Sequence, residues 1–139
     1  MSMQITPDPI HTILTTTRRI AVVGVSARPE RASNGIFAFL VARGFDVVGV
    51  NPGLAGQALH GRPVVATLDE AGLLDMVDLF RASDQVGPAV DDAIRLGART
   101  VWMQLGVVDE KAATRARDAG LAVVMDRCPA IEWRRLGLS

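Results

Sequence analysis

The sequence predicts an α/β domain built on a mainly parallel, five-stranded sheet with helices on both faces, a three-layer arrangement. Three observations predict it. Short β-branched runs recur from Arg19 onward, amphipathic segments alternate with them, and a glycine closes each amphipathic segment before the next run begins. At 139 residues the chain fits one domain, residues 1–139, with an N-terminal helix within 1–18 and a core over 19–136.

Taken in order, Pro7–Thr17 reads as a short helix laid against the sheet through Ile10, Ile13 and Leu14. The first predicted strand is Arg19–Val25. The segment Asn34–Arg43 carries Ile36, Phe37, Leu40 and Val41 at helical spacing and stops at Gly44, a natural C-terminal cap. The second strand is Asp46–Val50. Residues Gly53–Asp69 are rich in Gly and Pro, with one apolar stretch at Val64–Val65, and read as an irregular excursion. Met76–Phe80, Thr100–Gln104 and Ala122–Met125 are the remaining strands. Between them Gln85–Leu96, closed by Gly97, and Asp109–Ala119, closed by Gly120, are predicted helices with capping or acidic residues near their starts.

Composition narrows the function classes. The chain is 49% hydrophobic and 22% charged, enough apolar material for one buried core. The formal net charge is zero and no Lys/Arg block stands beside aromatic residues, so nucleic acid is not an expected partner. Apolar runs such as Ile20 to Val25 and Leu121 to Met125 are far short of a membrane span, and the N-terminus carries no signal-like core. A soluble, cytoplasmic protein is expected. One cysteine, Cys128, excludes an internal disulfide, and His11 and His60 are too distant in sequence to build a metal site with it. No metal is expected.

In an open parallel sheet, ligands sit beyond the carboxyl ends of the strands. Five segments therefore matter: Gly24 to Asn34, Asn51 to Gly53, Arg81 to Ser83, Gln104 to Gly106, and Asp126 to Pro129. The first joins a strand to a helix, where free N–H groups and the helix dipole attract phosphate. There Gly24 permits close backbone approach, Ser33 or Asn34 can cap the helix, and Arg28 and Arg31 can bond phosphate oxygens. The nicotinamide fingerprint fits poorly, because Ser26 and Pro29 stand where its second and third glycines belong. Asn51-Pro52 also replaces the acidic residue that holds a ribose. An ordinary connecting loop with solvated arginines remains an equal reading of this segment taken alone. Arg81 follows a buried strand and points toward the same crevice, where it could stack on a base or contact phosphate; taken alone, it reads first as a solvated surface arginine. Trp102 reads as core, while Gly106 leaves the following turn open to a ligand. Cys128 is either a small buried apolar residue or, with Arg127 close by, a reactive thiolate.

These segments in this order resemble the stand-alone CoA-binding domain family, relatives of the nucleotide-binding domain of succinyl-CoA synthetase alpha subunits and of ADP-forming acyl-CoA synthetases. The resemblance runs from about Arg19 to Leu136. It is carried by Ile20 to Ser26, Pro29, Arg31, Ser33, Val50-Asn51-Pro52, Val77 to Arg81, Trp102 to Gly106, Val123 to Cys128, Glu132 and Arg134 to Leu136. The resemblance implies a Rossmann-like fold that binds coenzyme A or acyl-CoA. It further implies Gly24, Val25, Ser26, Arg31 and Ser33 for the phosphates, Val50, Asn51 and Pro52 beside the nucleotide, and Arg81 near the adenosine or pantetheine. Arg28, Gln104, Gly106 and Cys128 complete the expected binding set. Ligase relatives need a phosphorylated histidine and further domains; His11 and His60 lie outside any matching motif, so a non-catalytic binding module is expected and no catalytic residue is assigned. Two alternatives stay open: an NAD(P)-dependent oxidoreductase using the same crevice, and a redox partner forming a CoA mixed disulfide at Cys128. A homodimer or an unknown protein partner is compatible with either.

Overall fold

A computed structural model describes residues 8–138. Seven strands form one sheet: β1 Arg19–Val23, β2 Asp46–Val50, β3 Ala58–Leu59, β4 Arg62–Val65, β5 Met76–Leu79, β6 Thr100–Met103 and β7 Ala122–Val124. Their spatial order is β3-β4-β2-β1-β5-β6-β7. Every neighbouring pair is parallel except β3 with β4. Five helices cover the sheet: α1 Pro9–Thr16, α2 Ala32–Ala42, α3 Gly87–Arg95, α4 Glu110–Asp118 and α5 Pro129–Arg135.

Strand periodicity divides the core into two layers. Alternate residues Ile20, Val22, Val47, Met76 and Trp102 pack beneath α1, α2 and α5, together with Ile13, Leu14, Phe37 and Leu40. The intervening residues Ala21, Val23, Val48, Val77, Leu79, Val101 and Met103 pack beneath α3 and α4, against Val90, Ala93, Ala112 and Ala116. A sheet covered on both faces needs strands that are apolar on both sides, and β1, β5 and β6 are buried almost throughout. The chain first winds outward from β1 through α2 to β2, then returns to the other side of β1 and continues through α3 and α4. The order therefore reverses between β1 and β5, and the crevice between diverging loops opens at the C-terminal ends of those strands.

The predicted α/β class and its parallel core hold, with two differences. The sheet has seven strands where five were expected, because the Gly/Pro-rich excursion folds into the β3–β4 hairpin, whose second strand extends the sheet beside β2. Its two-residue turn, His60-Gly61, has positive φ at both positions (47° and 79°), the geometry whose twist matches paired strands. Pro63 is tolerated because this pairing lies at the sheet edge. Secondly, α5 follows Cys128 directly, and seven residues are too few to show a helical period. The N-terminal helix begins at Pro9, with Asp8 as its cap accepting from the Ile10 N–H; Pro7 lies outside the described residues. No helix among the described residues is long and apolar enough to cross a membrane.

Candidate functional site

The loop between β1 and α2 turns at Gly24. Its φ is +83°, and a Cβ there would sit 2.4 Å from the Phe80 carbonyl oxygen, so only glycine lets this loop pass so close to the end of β5. This is why β1 ends at Val23, two residues earlier than its apolar run suggests. The following backbone is held on both sides. The Ser26 N–H donates to Ser33 Oγ at 3.0 Å, and the Ser26 carbonyl accepts from Asn34 Nδ2 at 2.9 Å. The Val25 carbonyl accepts from Asn51 Nδ2 at 2.8 Å, while Asn51 Oδ1 accepts from the Gly53 N–H.

Those bonds correct one expectation about capping. The N-cap of α2 is Arg31, with no side-chain cap bond, and the helix starts at Ala32. Ser33 and Asn34 already lie in its first turn and reach back to the loop instead. Among the described residues, the first-turn N–H groups of Ala32 and Ser33 have no protein acceptor, as helix geometry requires at an uncapped start. Both residues line a cavity of about 570 Å³ that is also bounded by Gly24 to Ser26, Arg28, Arg31, Asn51, Leu54 and Phe80. Arg28 and Arg31 are exposed at its rim, Arg28 pairing with Glu30 at 2.9 Å. The Arg81 Nε lies 3.4 Å from the Cβ position of Gly24, which puts its guanidinium group over the same turn.

A second cavity, about 350 Å³, adjoins the first and shares Ala32 and Phe80 with it. Its walls are Ile36, Leu105, Val107 and Cys128, Gly35 leaves room on the α2 side, and Gln104 is its polar side chain. Behind it, Asp78 is fully buried on β5. The Gln104 amide meets this carboxyl: its nitrogen, turned inward, donates to an ionised Asp78 at 2.7 Å (Oδ1) and 3.1 Å (Oδ2), and its oxygen, turned inward, accepts from a protonated one. Burial pushes the Asp78 carboxyl well above the usual carboxylate range.

Three strand-end loops are tied together around these cavities. Ser83 Oγ accepts from the Val108 N–H and donates to the Gly106 carbonyl. The Gly106 N–H donates to Asp126 Oδ1 at 2.7 Å, and Trp102 Nε1 donates to the Arg127 carbonyl at 2.8 Å. The Gly106 turn is thus not open to a ligand through its N–H, because the Asp126 carboxylate already takes it.

The sequence from 18 to 134 matches the CoA binding domain family, which is most of the chain. The chain belongs to the CoA-binding domain family. It is similar to the uncharacterized protein YneT of Bacillus subtilis (strain 168), at 34% identity over 119 residues, covering 86% of this chain and 87% of that one. Among solved structures it is similar to Prb, the PH1109 protein redesigned for binding, at 36% identity and TM-score 0.88, over 98% of this chain and 95% of that one. A hypothetical protein from Pyrococcus horikoshii OT3 is also similar, at 34% identity and TM-score 0.85, over 96% and 99% of the two chains. A dinucleotide-forming acetyl-coenzyme A synthetase of Ca. Korarchaeum cryptofilum shares the fold, at 23% identity and TM-score 0.65, over 76% of this chain and 25% of that one.

In this CoA-binding domain, seven of the residues singled out from sequence bound the first cavity: Gly24, Val25, Ser26, Arg28, Arg31, Ser33 and Asn51. Gln104 and Cys128 line the second. Val50 is buried in the core, Pro52 is exposed at the start of a short 3₁₀ turn, and Arg81 and Gly106 lie beside the cavities without being part of either lining. The Arg127 guanidinium is turned to the Asp126 carbonyl at 2.9 Å and stands 4.0 Å from Glu132. The neighbouring Cys128 thiol is not among the groups it pairs with. Sequence reasoning gave no role to Phe80 and Ala32, the shared wall, or to His60, and it took Asn34 for a possible cap where the fold uses it as a loop anchor. Phe80 could have been found as the last apolar residue before Arg81; nothing in the local sequence marks His60.

Proposed function

We propose that this domain binds coenzyme A or an acyl-CoA as a non-catalytic module, the diphosphate at the β1–α2 loop and the pantetheine arm in the apolar cavity leading to Cys128. The supporting observation is the pairing of two unlike cavities through one shared wall. The first offers unpartnered helix N–H groups and exposed arginines, the chemistry a diphosphate calls for. The second is apolar with one amide, suited to an arm that alternates alkyl and amide groups. Gly24 fits the same assignment, since it lets the loop pass close to Phe80.

Calorimetric titration of the purified chain with CoA and with dephospho-CoA tests the reading, with R31A as control. Saturable heat with CoA, weakened in R31A, is expected. An absence of heat with both ligands at high concentration would end the proposal, and tighter binding of reduced nicotinamide cofactor than of CoA would favour the oxidoreductase instead. A second reading, thiol exchange with the ligand, is favoured by one observation: Cys128 is the only thiol in the chain and lies on the wall of the apolar cavity.

A further inference from the structure

We propose that His60 is a positioning residue for the phosphate-binding loop, acting through Asn34 from a hairpin at the far side of the β2 edge. The inference rests on the CoA reading for its ligand, while its structural part stands on the geometry alone.

Asn34 is 5% exposed and has both ends of its amide engaged. Its Nδ2 donates to the Ser26 carbonyl at 2.9 Å, and its Oδ1 lies 2.9 Å from His60 Nε2. An amide oxygen can only accept, so His60 Nε2 carries the proton in this bond; the tautomer follows from the partner. The Ser26 carbonyl takes the amide nitrogen and so fixes which way the amide faces, and His60 supplies a donor to the oxygen at its other end. Without His60, Oδ1 loses that donor and the amide that clamps the Ser26 carbonyl is held at one end only. Ser26 bounds the first cavity, so the bracing of one buried amide bears on how the loop is held.

The hairpin delivers the imidazole at a local cost. His60 takes φ 47° in a turn whose first central position favours Asn, Asp or Gly. Its ring stands 6.1 Å from that of Phe37, tilted by 35°, which holds it beside α2. The turn thereby presents the imidazole to Asn34. The excursion between β2 and β5 thereby acquires a role: it reaches back across 26 residues of sequence to brace the loop.

The test compares the full-length chain with H60G and H60Q. Glycine suits the turn, so H60G is expected to fold with a melting temperature close to that of the unaltered protein. It lacks the donor, so hydrogen exchange of ligand-free segment 24–34 should accelerate, and affinity for both CoA and ADP should fall by about five- to tenfold, as for one lost hydrogen bond. The side-chain nitrogen of glutamine reaches about as far as imidazole Nε2, and H60Q should recover most of both effects. Unchanged exchange in H60G overturns the positioning role whatever binds. Unchanged CoA affinity in H60G, with the unaltered chain binding, overturns it as well. If the unaltered chain binds no CoA, the CoA reading fails and the exchange experiment still decides the role of His60.

Discussion

Two residues carry more of the architecture than their size suggests. Gly24 sits where β1 must release its chain toward α2 without pushing away the end of β5. In G24A the new methyl group would meet the Phe80 carbonyl oxygen at 2.4 Å, on a backbone already at φ +83°. The left-handed conformation alone costs a non-glycine residue roughly 1–2 kcal/mol, and relieving the contact must part β1 from β5. G24A is therefore expected to lose at least about 2 kcal/mol in urea denaturation and to lose measurable CoA binding. A variant as stable as the parent would contradict the close approach. Asp78 acts in the opposite sense, because its burial raises the folded-state pKa above the ordinary 3.8. The folded protein keeps a proton that the unfolded chain releases. The stability tied to this group is complete below the unfolded value and declines as pH rises toward the folded one. D78N is neutral and nearly isosteric, so it escapes that decline. Its stability relative to the parent should grow with pH, by at most about 1.4 kcal/mol per unit. Denaturation curves collected between about pH 4 and pH 8 would reveal this; a constant difference would mean that Asp78 is already ionised in the fold.

At the scale of elements, the loop and the first turn of α2 work as one piece. Ser33 is buried and its hydroxyl takes the Ser26 N–H that would otherwise be left half-buried and unpaired. S33A should cost about 1 kcal/mol of stability, and CoA titration should show weaker binding because the loop loses one of its two clamps at Ser26. An S33A protein with parental affinity would show that the loop is held well enough by Asn34 alone. Helices α1 to α4 and the inner strands were legible in the sequence for a physical reason. Buried elements of useful length impose a period, as in Ile36, Phe37 and Leu40 on α2 or Val77 and Leu79 on β5, and Gly44, Gly97 and Gly120 mark where the helices stop. The hairpin was not legible, because its four-residue strand β4 buries only Val64 fully and contains a proline. Nor were the duties of Ser33 and Asn34. Their types predicted caps, yet the chain enters α2 at Arg31, and only the three-dimensional path shows that both side chains bond backward. The candidate site was legible as a set of strand ends, since topology fixes where those must meet. Which groups remain free to bind was not, because Gly106 and Ser26 spend their N–H groups on partners far away in sequence.

At the scale of the molecule, the crevice joins surfaces that belong to different layers of the fold. The first cavity is built by the loop of β1 and the end of β2, and the second by the ends of β5 and β6, α2 and the entry to α5. The net charge of zero supplies no general attraction for an anion, so the proposed mode of binding relies on local arginines and on a ligand long enough to use both cavities. That requirement can be examined chemically. Cys128 is 8% exposed and stands on the wall of the second cavity, so a reagent in bulk solvent meets it rarely. CoA disulfide held by its nucleotide at the first cavity would present a sulfur to it at high local concentration. The Cys128 thiolate attacks that sulfur, the S–S bond breaks, and one CoA leaves as a thiolate. The exchange needs no other oxidant. Adduct formation at Cys128 should therefore be roughly tenfold or more faster with CoA disulfide than with glutathione disulfide at equal concentration. An excess of ADP should slow the former and leave the latter unchanged, and C128S should form no adduct with either. Equal rates for the two disulfides, read by intact mass spectrometry, would place the pantetheine end elsewhere and leave only the nucleotide half of the proposed site.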